Sequence, residues 1–166
     1  MSRLVEGRAG VADRIKVSVA DYAVASQGVL TTSGLGSCLG VVIYDGDGGP
    51  GGLVHPMLPY RNDDTRPPEQ FVDSGIEVVV GELLASGATE RTLEAKLTGG
   101  AAVVDFASDG ETIGDRNVTA ARETLAEYGI EIVAEAVGGG RGRTVHADAE
   151  TGVVTVRRTD GEEREL

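Results

Sequence analysis

Leu39-Gly40-Val41-Val42-Ile43-Tyr44-Asp45 is followed, after Gly46-Asp47-Gly48-Gly49-Pro50-Gly51, by Gly52-Leu53-Val54-His55. This stretch constrains the fold more than any other. β-Branched and apolar side chains suit a buried, pleated surface. The Asp- and Gly-rich segment can only be a turn or loop. Its acidic alternation is similar to a calcium loop but lacks the distal Glu in register, so a turn is the better reading. The two runs therefore form an antiparallel hairpin, in which the start of one strand faces the end of the other. That geometry brings Cys38 and His55 to the same end.

Cys38 is the single cysteine among 166 residues, and His55 is one of two histidines. A lone thiol can close no intramolecular disulfide and build no thiolate metal cage. Inert packing, redox sensing and nucleophilic attack remain open to it. Gly34-Leu35-Gly36-Ser37 just before it favours attack, because glycines let backbone N–H groups approach a substrate and face a developing oxyanion. An imidazole beside the thiol would take its proton, and an imidazolium would let the thiolate persist below the ordinary cysteine pKa of about 8.5. A third group should hold the ring in its working tautomer, and Thr31, Thr32 and Ser33 can each offer a hydroxyl. His55 could equally be a satisfied core residue. His146, in a strand near the C-terminus, reads as structural.

The formal net charge is −12, and only Lys16 and Lys96 of the 15 basic residues are lysines. Acidic excess with arginine in place of lysine fits a salt-rich cytosol, where molar counterions shorten the Debye length to about 3 Å and relieve self-repulsion. Phosphate backbones need clustered positive charge, so nucleic acid is excluded as a partner. No stretch reaches the length of an apolar membrane helix, and the first residues lack the hydrophobic segment of a secretory signal. A cytoplasmic protein is expected.

Along the chain, residues 1–12 read as a flexible segment and 159–166 as a charged tail, with one domain over 13–158. Strands are expected at Ile15–Val24, Leu30–Thr32, Leu93–Val104, Ile130–Val137, Thr144–Asp148 and Val153–Arg157, besides the hairpin. Apolar spacing predicts a helix over Glu69–Ser86, and a second over Arg116–Tyr128 with Asp115 as its N-cap. The fold class is α+β, with largely antiparallel β-sheet layers, two or three covering helices and a single compact domain.

Five blocks in order raise the catalytic reading. They are Gly34–Asp45, Gly52–Pro59, Ala95–Ala102, Ile113–Asn117 and Gly138-Gly139 through Gly142-Arg143-Thr144-Val145. Over about Ile15 to Val156 the chain resembles the CheD family of chemoreceptor glutamine deamidases, here in a form suited to a halophilic archaeon. The resemblance implies Cys38 as nucleophile, His55 as general base and acid, and Thr32 as the hydroxyl that orients the ring. It implies hydrolysis of receptor glutamine side-chain amides to glutamate, with methyl-ester hydrolysis as a related activity, and no metal or organic cofactor. The implied partners are chemoreceptors and a CheC-type phosphatase, met by a monomer peripheral to receptor arrays. An alternative of another class is a binding module that mainly regulates that phosphatase. The chain departs from the family pattern at Ala136, where many members carry an acidic residue, and in the Gly138–Arg143 loop. Met57-Leu58-Pro59 and Asn117 fit the pattern and read as loop packing and helix N-terminal hydrogen bonding.

Overall fold

The computed structural model describes residues 4–5, 14–102 and 111–166. The expected flexible segment 1–12 lies outside these apart from Leu4–Val5. The first strands are β1 (Leu4–Val5), β2 (Arg14–Lys16), β3 (Tyr22–Ala25), β4 (Val29–Leu35), β5 (Leu39–Asp45) and β6 (Gly51–Val54). Helix α1 (Val72–Ala85), strand β7 (Leu93–Gly99) and helix α2 (Ile113–Glu127) follow. The chain continues through β8 (Glu131–Val137), β9 (Arg143–Asp148), β10 (Val154–Arg158) and β11 (Glu163–Glu165).

The described strands form two sheets, ordered β1-β3-β6-β5-β7-β8 and β11-β10-β9-β4-β2. Pairing is parallel at β1–β3, β2–β4 and β7–β8 and antiparallel elsewhere. The α+β class with largely antiparallel layers therefore holds.

β5 shows how the layers stack. All seven of its residues are buried, and successive side chains point to opposite faces. Val41 and Ile43 join Ile76, Val79, Leu83, Ala121 and Leu125 in a core between the six-stranded sheet and the helices. Val42 and Tyr44 join Leu30, Val145, Ala147 and Val156 in a second core between the two sheets. Helices, six-stranded sheet and five-stranded sheet thus make three layers. At Gly52 α1 packs tightly on the hairpin, since a Cβ there would stand 2.7 Å from Val79 Cγ1.

Several elements differ from expectation. The continuous first strand is two, β2 and β3, in different sheets. A turn at Val19–Ala20, with Ala20 at φ 61°, carries the chain from one to the other. The second strand runs on to Leu35. β7 ends at Gly99, and the expected continuation through Val103–Val104 falls outside the described residues. Helix α2 starts earlier than expected, capped by Thr112. The Thr112 side chain accepts from Asp115 N and the Asp115 side chain accepts from Thr112 N. Asp115 is therefore the third residue of a capping box, not the cap. The charged 159–166 stretch carries a strand, because β11 finds its partners in the β10 backbone whatever its side chains.

Candidate active site

The β5–β6 ladder runs from Val41 opposite Val54 to Tyr44 opposite Gly51, and Leu39 N–H donates to Pro56 O at 3.2 Å. Cys38 immediately precedes this ladder and His55 immediately follows β6. The hairpin places their backbones at one end, as the spacing required.

His55 is buried, with 1% of its surface exposed. Its N–H donates to Asp21 O at 3.1 Å and its C=O accepts from Ala20 N at 2.8 Å, so the turn between β2 and β3 holds its backbone. Thr32 on β4 is also buried. Its Oγ1 donates to Val17 O at 2.7 Å and lies 2.7 Å from His55 Nδ1. A hydroxyl has one proton. With that proton on Val17 O, Thr32 can only accept from the ring, so Nδ1 carries hydrogen. The neutral ring then has its lone pair on Nε2, which is buried and has no hydrogen-bond partner. That is the tautomer a general base needs. Of the three upstream hydroxyl candidates, Thr32 is the one that meets the ring.

Cys38 is half-buried and packs against the core between the sheets. The carbonyls around it are held. Gly36 O accepts from Ala101 N at 2.8 Å, Ser37 O from Asn117 Nδ2 at 2.9 Å, and Cys38 O from Gly100 N at 2.9 Å. The N–H groups of Ser37 and Cys38 donate to no other described residue, and that of Cys38 faces its own sulfur. Gly99, at φ 96°, has no room for a Cβ because Cys38 O occupies that position. Arg143, buried, donates from Nη1 to Gly99 O at 3.0 Å and from Nη2 to Gly138 O at 2.8 Å. The supports of the thiol turn thus extend through the 99–102 segment to the glycine loop.

No hydrogen bond joins Cys38 Sγ to Nε2 in this arrangement. Burial pushes the Cys38 thiol up from its ordinary value, with its own backbone N–H opposing in part. Burial drives the His55 imidazolium down to about 4. The expected thiolate beside an imidazolium is therefore not the resting state, because both charged forms lose hydration. At neutral pH the pair rests as thiol and imidazole.

His146 lies on β9 opposite Thr31 and Thr155. The Asp45–Gly51 segment is a turn, its Asp45 carboxylate accepting from Asp47 N, Thr89 N and Thr92 Oγ1. No group of three or more His, Cys, Asp or Glu able to hold a metal ion occurs among the described residues, and no helix among them is long and apolar enough to cross a membrane. Sequence reasoning missed the reach of Asn117 and Arg143. A buried asparagine on the apolar face of α2 and an arginine at a strand start were the available signals.

A family described as CheD chemotactic sensory transduction matches residues 57–158, a stretch that begins two residues after His55. A Natronomonas pharaonis protein named "Probable chemoreceptor glutamine deamidase CheD" is 64% identical over 156 residues, covering 93% of each chain. A Haloarcula marismortui protein of the same name is 44% identical over 87% of this chain and 85% of its own. A Thermotoga maritima protein named "Chemoreceptor glutamine deamidase CheD" is 40% identical over 89% of this chain and 94% of its own. Among solved structures, a Neisseria meningitidis protein of the family DUF152 is similar at a TM-score of 0.48 and 13% identity, over 78% of this chain and 63% of that one.

Proposed function

Since the chain belongs to the CheD family, we propose that it is a cytoplasmic protein-glutamine deamidase of chemoreceptors, acting through Cys38, His55 and Thr32. One observation carries the assignment of the residues. A buried imidazole, its tautomer fixed by Thr32, presents an unpartnered Nε2 at the hairpin end that holds the chain's single thiol.

Nε2 accepts the Cys38 proton as sulfur attacks the amide carbon of a substrate glutamine. The carbonyl oxygen becomes an oxyanion, met by the N–H groups of Ser37 and Cys38. The imidazolium keeps its Nδ1–H on Thr32 and gives its Nε2 proton to the departing nitrogen. The C–N bond breaks, ammonia leaves, and a thioester remains on Cys38. Water then attacks that thioester, Nε2 taking its proton. The second oxyanion collapses, the C–S bond breaks, and the returning thiolate recovers the proton from Nε2. The product acid loses its proton to solvent and leaves as glutamate. Each turnover consumes one water and gives one ammonia.

The test is the mass of a purified receptor after incubation at high salt. Each site should gain about 1 Da as an amide becomes an acid through this thiol route. Identical spectra with wild type and Cys38→Ala would sink the assignment. Family membership also supports a CheC-type phosphatase as partner, bound at the mouth of the same site in competition with receptor.

A further inference from the structure

We propose that Asn117 is the positioning residue that sets the separation of the thiol and the imidazole, an inference that rests on the assignment of Cys38 and His55 above. Asn117 lies on the inner face of α2 with none of its surface exposed. Its Nδ2 donates to Ser37 O at 2.9 Å and to Met57 O at 3.0 Å. Ser37 adjoins the nucleophile in the chain, and Met57 stands two residues after the base. Both acceptors are carbonyl oxygens, so the orientation of the amide is fixed by its partners.

The position of this bridge matters. The last backbone bond between the two segments is Leu39 N to Pro56 O. Beyond it the chain on one side enters the Gly34–Cys38 turn. On the other it turns away, Met57 N and Leu58 N donating to Gln70 O. No backbone rung joins Ser37 to Met57, and the two protons of one side-chain amide supply the tie instead. The tie comes from a fixed frame. The capping box at Thr112 secures the start of α2. Gly114 packs so closely on Gly100 O and Ala101 O that a Cβ would collide with them. The same 100–101 segment holds Gly36 O and Cys38 O.

Asn117 Oδ1 meanwhile is buried with no partner. An orphaned acceptor costs stability that an apolar side chain of similar shape would not, so packing alone gives no reason for an asparagine here. Its two donors do.

The test is a double-mutant cycle read on Cys38 alkylation by iodoacetamide at one fixed pH, which requires no deamidase activity. Nε2 takes the thiol proton as the sulfur attacks iodoacetamide, so Asn117→Leu should slow alkylation at neutral pH in the wild-type background and leave it unchanged in the His55→Ala background. On receptor substrate, kcat should fall by about 100-fold, the loss expected from a displacement near 1 Å, while KM moves little. Should Asn117→Leu lack a cooperative melt, Asn117→Ser takes its place in the same cycle. Equal alkylation effects in both backgrounds, or a kcat within about threefold of wild type in a folded variant, would overturn the proposal. If wild type itself fails to deamidate receptor while the alkylation coupling is present, the reading of the function has failed and the positioning role stands.

Discussion

Thr32 Oγ1 and His55 Nδ1 lie 2.7 Å apart although Thr32 belongs to the five-stranded sheet and His55 extends from the six-stranded one. The contact bridges the two layers, and Val17 O takes the only proton the Thr32 hydroxyl has to give. A side chain buried to close this bridge can be replaced by one of equal shape, which isolates the hydroxyl.

Thr32→Val should therefore leave the core filled while stranding the ring N–H and Val17 O. Stability should drop by about 1–3 kcal/mol, the penalty for buried polar groups left unpaired. kcat should drop on the order of 100-fold as the ring loses its fixed tautomer. Thr32→Ser keeps the hydroxyl and should recover most of both. Steady-state deamidation and urea titration of the two variants decide the matter, and equal activity in Val and Ser variants would remove Thr32 from the mechanism.

The resting protonation state has a pH signature with a definite sign. An unfolded histidine takes up a proton near pH 6.5, whereas folded His55 resists until about 4. Between these values the unfolded chain binds more protons, so stability is lost as pH falls from 6.5 towards 4. For this single group the loss amounts to about 3 kcal/mol at most. His55→Gln should have a shallower acid limb than wild type, the carboxylates common to both cancelling. Parallel stability curves from pH 7 to 4 would contradict the depressed imidazole. The thiol moves the other way. Its thiolate should form only above the ordinary cysteine value of about 8.5, which the ultraviolet absorbance of the thiolate would follow across pH.

The sequence made the hairpin legible because its signals are local. β5 begins and ends at the residues its β-branched run indicated, and β6 is displaced by one. That Cys38 and His55 share one end follows from that hairpin. Three features escaped. The split between β2 and β3 depends on a positive φ at Ala20, a conformation alanine rarely adopts and composition does not flag. β11 is a Glu-Arg-Glu strand held by backbone pairing, so hydrophobic periodicity has nothing to detect. Asn117 sits 80 residues from Ser37 and 60 from Met57. Only tertiary structure joins a helix to loops at such separations.

Gly99 should tolerate no side chain. Gly99→Ala would place a Cβ against Cys38 O while holding a backbone at φ 96° that alanine disfavours. Backbone must move, and the turn carrying the thiol moves with it. Overpacking and strain together should cost about 1–3 kcal/mol, and deamidation should fall further than stability alone accounts for. Gly87, at φ 99° after α1, is the control. A Cβ there meets nothing within 4 Å, so Gly87→Ala carries backbone strain without touching the site. Equal activity losses in the two variants would show that Gly99 has no special connection to Cys38.

Lys96 offers the last test, since it ties the sheets together away from the thiol. Its ammonium donates to Gly152 O at 2.7 Å and to Leu166 O at 2.8 Å and stands 5.4 Å from the centre of the Tyr44 ring. Leu166 also pairs with Val154 through both backbone groups, N to O at 2.7 Å and O from N at 3.3 Å. Deleting 160–166 removes β11 and one acceptor of a half-buried ammonium whose charge burial already disfavours. Stability should fall by about 1–3 kcal/mol. Activity measured well below the new melting temperature should stay within about twofold of wild type, because β11 lies three strands from β4 and Thr32. A loss of kcat in the folded, truncated chain would mean that the C-terminal strand reaches the site after all.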